Sequence, residues 1–188
     1  MVLNSSMRDL ITLTEAGKKL TLKKLPYSRT ALSPVLSKPN IDYHYGKLAK
    51  GYVDRFNKGQ GDKQFNEAGA FLHNIYFPQL MAPKNANSPR GAVKTLIDKH
   101  FGSYIDFKKD IKEQAMSLQG SNWIYLSLSG KIKTIKNHAI RKDICLLIDW
   151  WEHAWIGTDK VKYIDNIWRL INWDQVNKRL AGRIQDEY

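Results

Sequence analysis

The sequence predicts an α+β protein, with an N-terminal antiparallel helical hairpin followed by a C-terminal α/β lobe that carries a three-stranded antiparallel sheet. Three observations lead there. Apolar and aromatic residues recur at helical spacing over residues 40–57 and again over 64–81, on either side of a glycine-containing break. Residues 82–89 form a linker with Pro83, Asn85, Asn87, Ser88 and Pro89. Beyond two more helical segments the pattern turns strand-like between residues 123 and 148.

In chain order, residues 1–24 read as an extension of weak periodicity, broken at Gly17-Lys18-Lys19. Pro26, Pro34 and Pro39 punctuate the loop that follows, because each fixes φ and lacks an N–H. A hairpin domain, residues 25–82, then opens with a helix over 40–57 that spaces Tyr45, Leu48, Tyr52 and Phe56 along one side. Asn57-Lys58-Gly59-Gln60-Gly61-Asp62 is the turn, and 64–81 the returning helix.

The second domain spans 89–188. Its helices cover 91–101 and 104–118, with Gly102 as the break and Ser103 as the N-cap. Trp123-Ile124-Tyr125-Leu126 reads as a strand, Gly130 as a turn and 132–135 as an alternating strand. Ile144-Cys145-Leu146-Leu147-Ile148 is a continuous apolar run, the pattern of a central strand, ending at Asp149. One amphipathic helix over 160–180 closes the chain, with Ile164, Ile167, Trp168 and Ile171 on its apolar side.

Composition narrows the function classes. At 43% hydrophobic and 11% aromatic, the 188 residues suffice for a core and exclude a disordered chain. No apolar run approaches membrane-spanning length, and no apolar block marks a secretory leader. Cys145 is the only cysteine, which excludes an intramolecular disulfide framework and points to a reducing compartment, the cytoplasm or the mitochondrial matrix. The net charge is +12. Its lysines are spread over several segments, as on a solvated surface. The same excess also suits steering of a small anion, or phosphate contacts in a nucleic-acid assembly.

Asp149-Trp150-Trp151-Glu152-His153 holds the most specific chemistry. It sets a carboxylate and an imidazole four residues apart, on one face if the segment is helical. Such a pair suits a hard-to-borderline transition metal. His44 and His73 supply two more imidazoles from distant segments. Taken singly, each histidine reads equally well as an ordinary surface or core residue.

Together these segments resemble the iron/manganese superoxide dismutase family. The resemblance runs from about Leu25 to Leu180 and rests on motifs in the right order: Leu25-Pro26-Tyr27, Tyr43-His44-Tyr45-Gly46-Lys47, Gly120-Ser121-Asn122-Trp123, Asp149-Trp150-Trp151-Glu152-His153 and Ile171-Asn172-Trp173. It implies an iron or manganese ion held by His44, His73, Asp149 and His153, with superoxide as substrate. It further implies Tyr52 as the tyrosine at the substrate gateway, Tyr76 and Trp123 lining the cavity, and a homodimer formed through the metal-site face. Glu152 would then bond to the last histidine ligand of the second subunit.

Several positions depart from the family pattern. Leu48 and Ala49 stand where histidines are usual, and Ile156 replaces a tyrosine that pairs with the first of them across the dimer, as if a polar relay had become an apolar contact. Gly69 occupies one of the two places from which a glutamine reaches the metal-bound solvent. At the other stands Asn137-His138, which makes His138 the candidate solvent partner, against the plain reading of a loop histidine. Phe71-Leu72 replaces the usual pair before His73. These losses, with the +12 charge, keep open an alternative: a dismutase-like structural or RNA-binding subunit, as in mitochondrial ribosomes.

Overall fold

The computed structural model describes residues 17–184. The part of the extension before residue 17 lies outside them. Residues 18–24 run along the hairpin, where Leu20 is buried and the Asn57 and Asn74 side chains accept from the backbone of Leu20 and Lys23 at 2.8 Å each.

The first hairpin helix starts two residues before the expected 40, because Ser37 caps it. It is not uniform. Helix α1 (Lys38–Tyr43) passes into a π-helical stretch, His44–Ala49, and then into α2 (Lys50–Asn57). The wider turn begins at His44; inserted π turns of this kind often sit at functional sites. Asp62 caps the returning helix α3 (Lys63–Tyr76). The expected helix to 81 stops earlier, since Pro78 has no N–H to continue it, and a 3₁₀ turn, Phe77–Gln79, follows. The two helices approach closely at Gly69: a Cβ there would lie 2.8–3.0 Å from the Tyr52 ring.

In the second lobe α4 (Gly91–Phe101) and α5 (Tyr104–Ser117) meet at Gly102, and Ser103 caps α5 as expected. Strands β1 (Asn122–Ser127), β2 (Ile132–Lys136) and β3 (Ile144–Asp149) form an antiparallel sheet in the order β2-β1-β3. The α+β class holds, but the central strand is β1 and not the apolar run of β3. That run is buried although it lies at the edge of the sheet, because its outer rim is covered. The Gln79 amide donates to the Leu147 carbonyl and accepts from the Leu147 N–H at 3.2 Å, replacing the missing strand. The closing helix is also divided: α6 (Lys160–Asn166), a 3₁₀ turn (Ile167–Leu170) and α7 (Trp173–Leu180). Asn172 makes the break, capping α7 with its side chain. Buried residues from the hairpin, the sheet and these helices pack in a main core, and Leu20, Tyr52, Val53, Phe56 and Ala70 form a smaller cluster in the hairpin.

Candidate metal centre

Each candidate ligand comes from a differently built segment. His44 opens the π-helical stretch, and His73 lies in the last turn of α3. Asp149 ends β3, and His153 sits in a 3₁₀ turn, Glu152–Trp155. The Asp149–His153 spacing therefore does not lie on a helix. The chain leaves the strand at Asp149, and its Oδ1 accepts from the Trp151 N–H at 2.9 Å, which turns Oδ2 toward the histidines.

The structure brings the four together. Asp149 Oδ2 lies 3.0 Å from His44 Nε2, 3.2 Å from His153 Nε2 and 3.7 Å from His73 Nε2, and the two hairpin Nε2 atoms are 3.1 Å apart. All four ligand atoms fall within 4.8 Å of one another. Atoms each about 2.1 Å from a shared cation stand roughly 3.0–3.5 Å apart, so the set is already close to coordinating spacing.

The chemistry of these donors fits a cation. His73 Nδ1 donates to the Gly69 carbonyl at 2.7 Å, which leaves its Nε2 unprotonated and facing the site. Burial holds the His44 imidazole below its ordinary pKa, and burial followed by the neighbouring His44 holds His73 well below it. Burial also opposes ionisation of Asp149, but His153 and His44 outweigh it and keep the carboxyl well below the usual range. An ionised carboxylate with no exposure and no Lys or Arg among its described ion-pair partners calls for positive charge.

Family comparison agrees with this geometry. Residues 19–64 match the model of the iron/manganese superoxide dismutase alpha-hairpin domain, and residues 89–179 that of the C-terminal domain. Among curated relatives, superoxide dismutase [Fe] of Sulfolobus acidocaldarius is 36% identical over 87% of this chain and 94% of its own length. The corresponding [Fe] protein of Pyrobaculum aerophilum is 31% identical over 90% and 96%. The mitochondrial [Mn] protein of Glossina morsitans morsitans is 30% identical over 95% and 96%. The chain belongs to the iron/manganese superoxide dismutase family.

Within that family frame, the remaining sequence-predicted residues surround the cluster, with one exception. The Tyr52 ring lies 5.4 Å from that of His73, and its hydroxyl makes no hydrogen bond among the described residues. Burial, then the Asp149 charge, pushes its pKa up to about 12. Trp123 pairs with Asp149 across β1 and β3, so both side chains share the face toward the hairpin. Tyr76 is fully buried, its ring 5.5 Å from His44 and its hydroxyl 3.1 Å from that of Tyr163.

His138 follows Asn137, which turns the chain at φ 54 and swings the imidazole under Trp123. Its Nδ1 accepts from the Trp123 indole N–H at 3.1 Å. In the neutral ring the proton is therefore on Nε2, which is buried without a partner among the described residues. Burial pushes the His138 pKa down to about 4, so the ring is neutral at pH 7. Glu152 is the exception: it is exposed and has no hydrogen-bond or ion-pair partner among the described residues.

Two residues of the site carried no signal in the sequence. Trp151 stacks between His138, at 4.4 Å, and His153, at 5.4 Å. It stands in the ligand motif, yet no spacing rule assigns it that position. Asn40, buried in α1 one turn before His44, directs its amide at the carbonyls of His153, Ala154 and Ile156, at 3.4, 3.1 and 3.2 Å. It ties the 3₁₀ turn of one lobe to the helix of the other, and only the folded chain brings the two together.

Proposed function

We propose that the protein is an iron- or manganese-dependent superoxide dismutase in which His44, His73, Asp149 and His153 hold the metal. The single observation that carries this reading is the convergence of three imidazole nitrogens and one buried carboxylate oxygen from separate segments. When bound, the metal supplies a one-electron couple that oxidises one superoxide and reduces another, so that two superoxides and two protons give oxygen and hydrogen peroxide.

The chain's own residues set up that chemistry. Gly69 fixes the His73 tautomer, the Trp151 N–H orients Asp149, and Asn40 holds the turn of His153. His138, with its proton on an Nε2 that has no partner among the described residues, is a neutral donor for solvent beside the centre. Tyr52, whose hydroxyl has no hydrogen-bond partner among the described residues, stands at the approach, and Trp123, Trp151 and Tyr76 wall the site and restrict water.

The active form in this reading is a homodimer joined through the metal-site face. Glu152, exposed beside His153, then reaches the second subunit's ligand. Ile156 at 44% exposure and Tyr43 at 38%, on the two segments that Asn40 joins, supply apolar contact. The protein works in the cytoplasm or mitochondrial matrix, in keeping with its free, buried Cys145. None of the described helices is long and apolar enough to cross a membrane.

The hairpin domain is residues 25–82 and the second domain 89–188, a division supported by the two family matches. The +12 charge and the replacements at Leu48 and Ile156 favour an RNA-binding subunit, and the complete donor set outweighs them.

Asp149→Ala and His153→Ala each abolish superoxide dismutation while circular dichroism stays native. Dismutation that survives both substitutions overturns the ligand assignment. Salt-sensitive RNA binding by a metal-loaded but inactive protein would establish the alternative.

A further inference from the structure

The cations around the mouth of the hairpin differ in how they are neutralised. Arg29 and Lys38 both pair with Asp42, and Lys50 pairs with Asp54. Arg55 makes no ion pair among the described residues. Its Nε donates at 3.0 Å to the amide oxygen of Asn66, a neutral partner that is itself buried and donates in turn to the Gln60 carbonyl. The guanidinium lies over the Tyr52 ring, 5.0 Å from its centroid. Room for it comes from Gly51, where a Cβ would stand 3.0 Å from Nη1. The same Tyr52 ring lies 5.4 Å from that of His73, and Nη1 and Nη2 have no partner among the described residues.

A positive charge held by a neutral amide keeps its field for something else. A carboxylate at position 66 would grip the guanidinium more firmly and cancel it. The arrangement does the reverse: it fixes the orientation of Arg55, one turn beyond Tyr52, and leaves the charge and two donor nitrogens facing solvent. The structure assigns Arg55 as an anion-positioning residue at the mouth of the metal centre, where it holds superoxide and other small monoanions over Tyr52 on their way to the ligand cluster. This rests on the dismutase reading for the identity of the substrate, but not for the capture of monoanions.

Azide serves as the probe, titrated by visible absorption into metal-loaded protein at low and at near-physiological salt. The unchanged chain is compared with Arg55→Gln, Arg55→Lys, Asn66→Asp and Arg90→Gln. The last removes an equal charge from a surface pair with Asp174. One unit charge near a protein surface acts through an effective dielectric well below that of water, so Arg55→Gln weakens azide binding about 3- to 10-fold at low salt. The difference shrinks at a Debye length of about 8 Å. Arg55→Lys restores most of the affinity, and Arg90→Gln leaves it unchanged.

Asn66→Asp, which keeps the arginine but neutralises it, weakens azide as Arg55→Gln does and stands in for that variant if it fails to load metal. Equal azide affinity in Arg55→Gln and the unchanged chain overturns the assignment, as does an equal loss in Arg90→Gln. Failure of the dismutase reading is separately visible, as azide binding that depends on Arg55 in a protein without dismutation.

Discussion

Asn40→Ala tests how the two lobes are held together around the site. The Asn40 Nδ2 group faces three carbonyls at 3.1–3.4 Å but has two hydrogens, so at most two of the contacts act at full strength. Each such bond contributes about 1 kcal/mol net, and a buried carbonyl left without a donor costs about 1–3 kcal/mol. Against this, Asn40 Oδ1 is buried without a partner among the described residues, and alanine removes that penalty. The balance is a destabilisation of about 2 kcal/mol, or roughly 4–8 °C in the melting temperature of a chain this size.

Asn40→Asp separates the donor role from packing. It keeps the shape but sets a carboxylate against three carbonyl oxygens, so it is the more damaging of the two. Calorimetry gives the melting temperatures, and metal analysis after dialysis against a weak chelator shows whether the turn of His153 has loosened. An Asn40→Ala melting point within about 1 °C of the unchanged chain, or an aspartate no worse than alanine, refutes the reasoning.

Gly69→Ala sets a methyl group 2.8–3.0 Å from the Tyr52 ring and forces the hairpin apart, at about 1–3 kcal/mol in urea unfolding; a neutral substitution contradicts this close packing. His138 has its pKa pushed down to about 4 by burial, against about 6.5 in the unfolded chain, so its contribution is complete above pH 6.5 and declines as the pH falls toward 4. The loss reaches about 3 kcal/mol, and His138→Gln flattens the stability-against-pH curve in that window; an unchanged slope removes the buried, neutral assignment. Asp149→Asn keeps the shape but removes the charge, and metal retention by elemental analysis falls to background; full occupancy in the variant contradicts the role of the carboxylate.

The sequence conveyed the hairpin and the meander because each declares itself locally. Gly59 and Gly61 mark the turn, Ser103 the cap of α5, and the alternation of residues 132–135 the second strand. What stayed hidden depends on partners far along the chain. A continuous apolar strand reads as central, and only Gln79 explains how β3 is buried at an edge. The π-helical stretch at His44 leaves no mark in hydrophobic spacing. Asn172 is an N-cap residue within an apolar pattern, and that pattern masked the break before α7.

The cluster divides in the same way. Asp149 and His153 stood out by their spacing, although a strand end and a 3₁₀ turn, rather than a helix, bring them together. Bringing His44 and His73 to them required the family resemblance, since nothing local links four segments. Arg55 and Asn40 act through contacts 11 and 113–116 residues away, which periodicity does not register.

The central claim is that this cluster binds a redox metal and turns over superoxide. Metal-free protein titrated with iron or manganese, with bound metal and dismutation measured on each aliquot, tests it most directly. The predicted result is activity that rises in proportion to bound metal and levels off at one ion per chain. A protein that fills to one ion per chain yet consumes superoxide no faster than the free ion would contradict it.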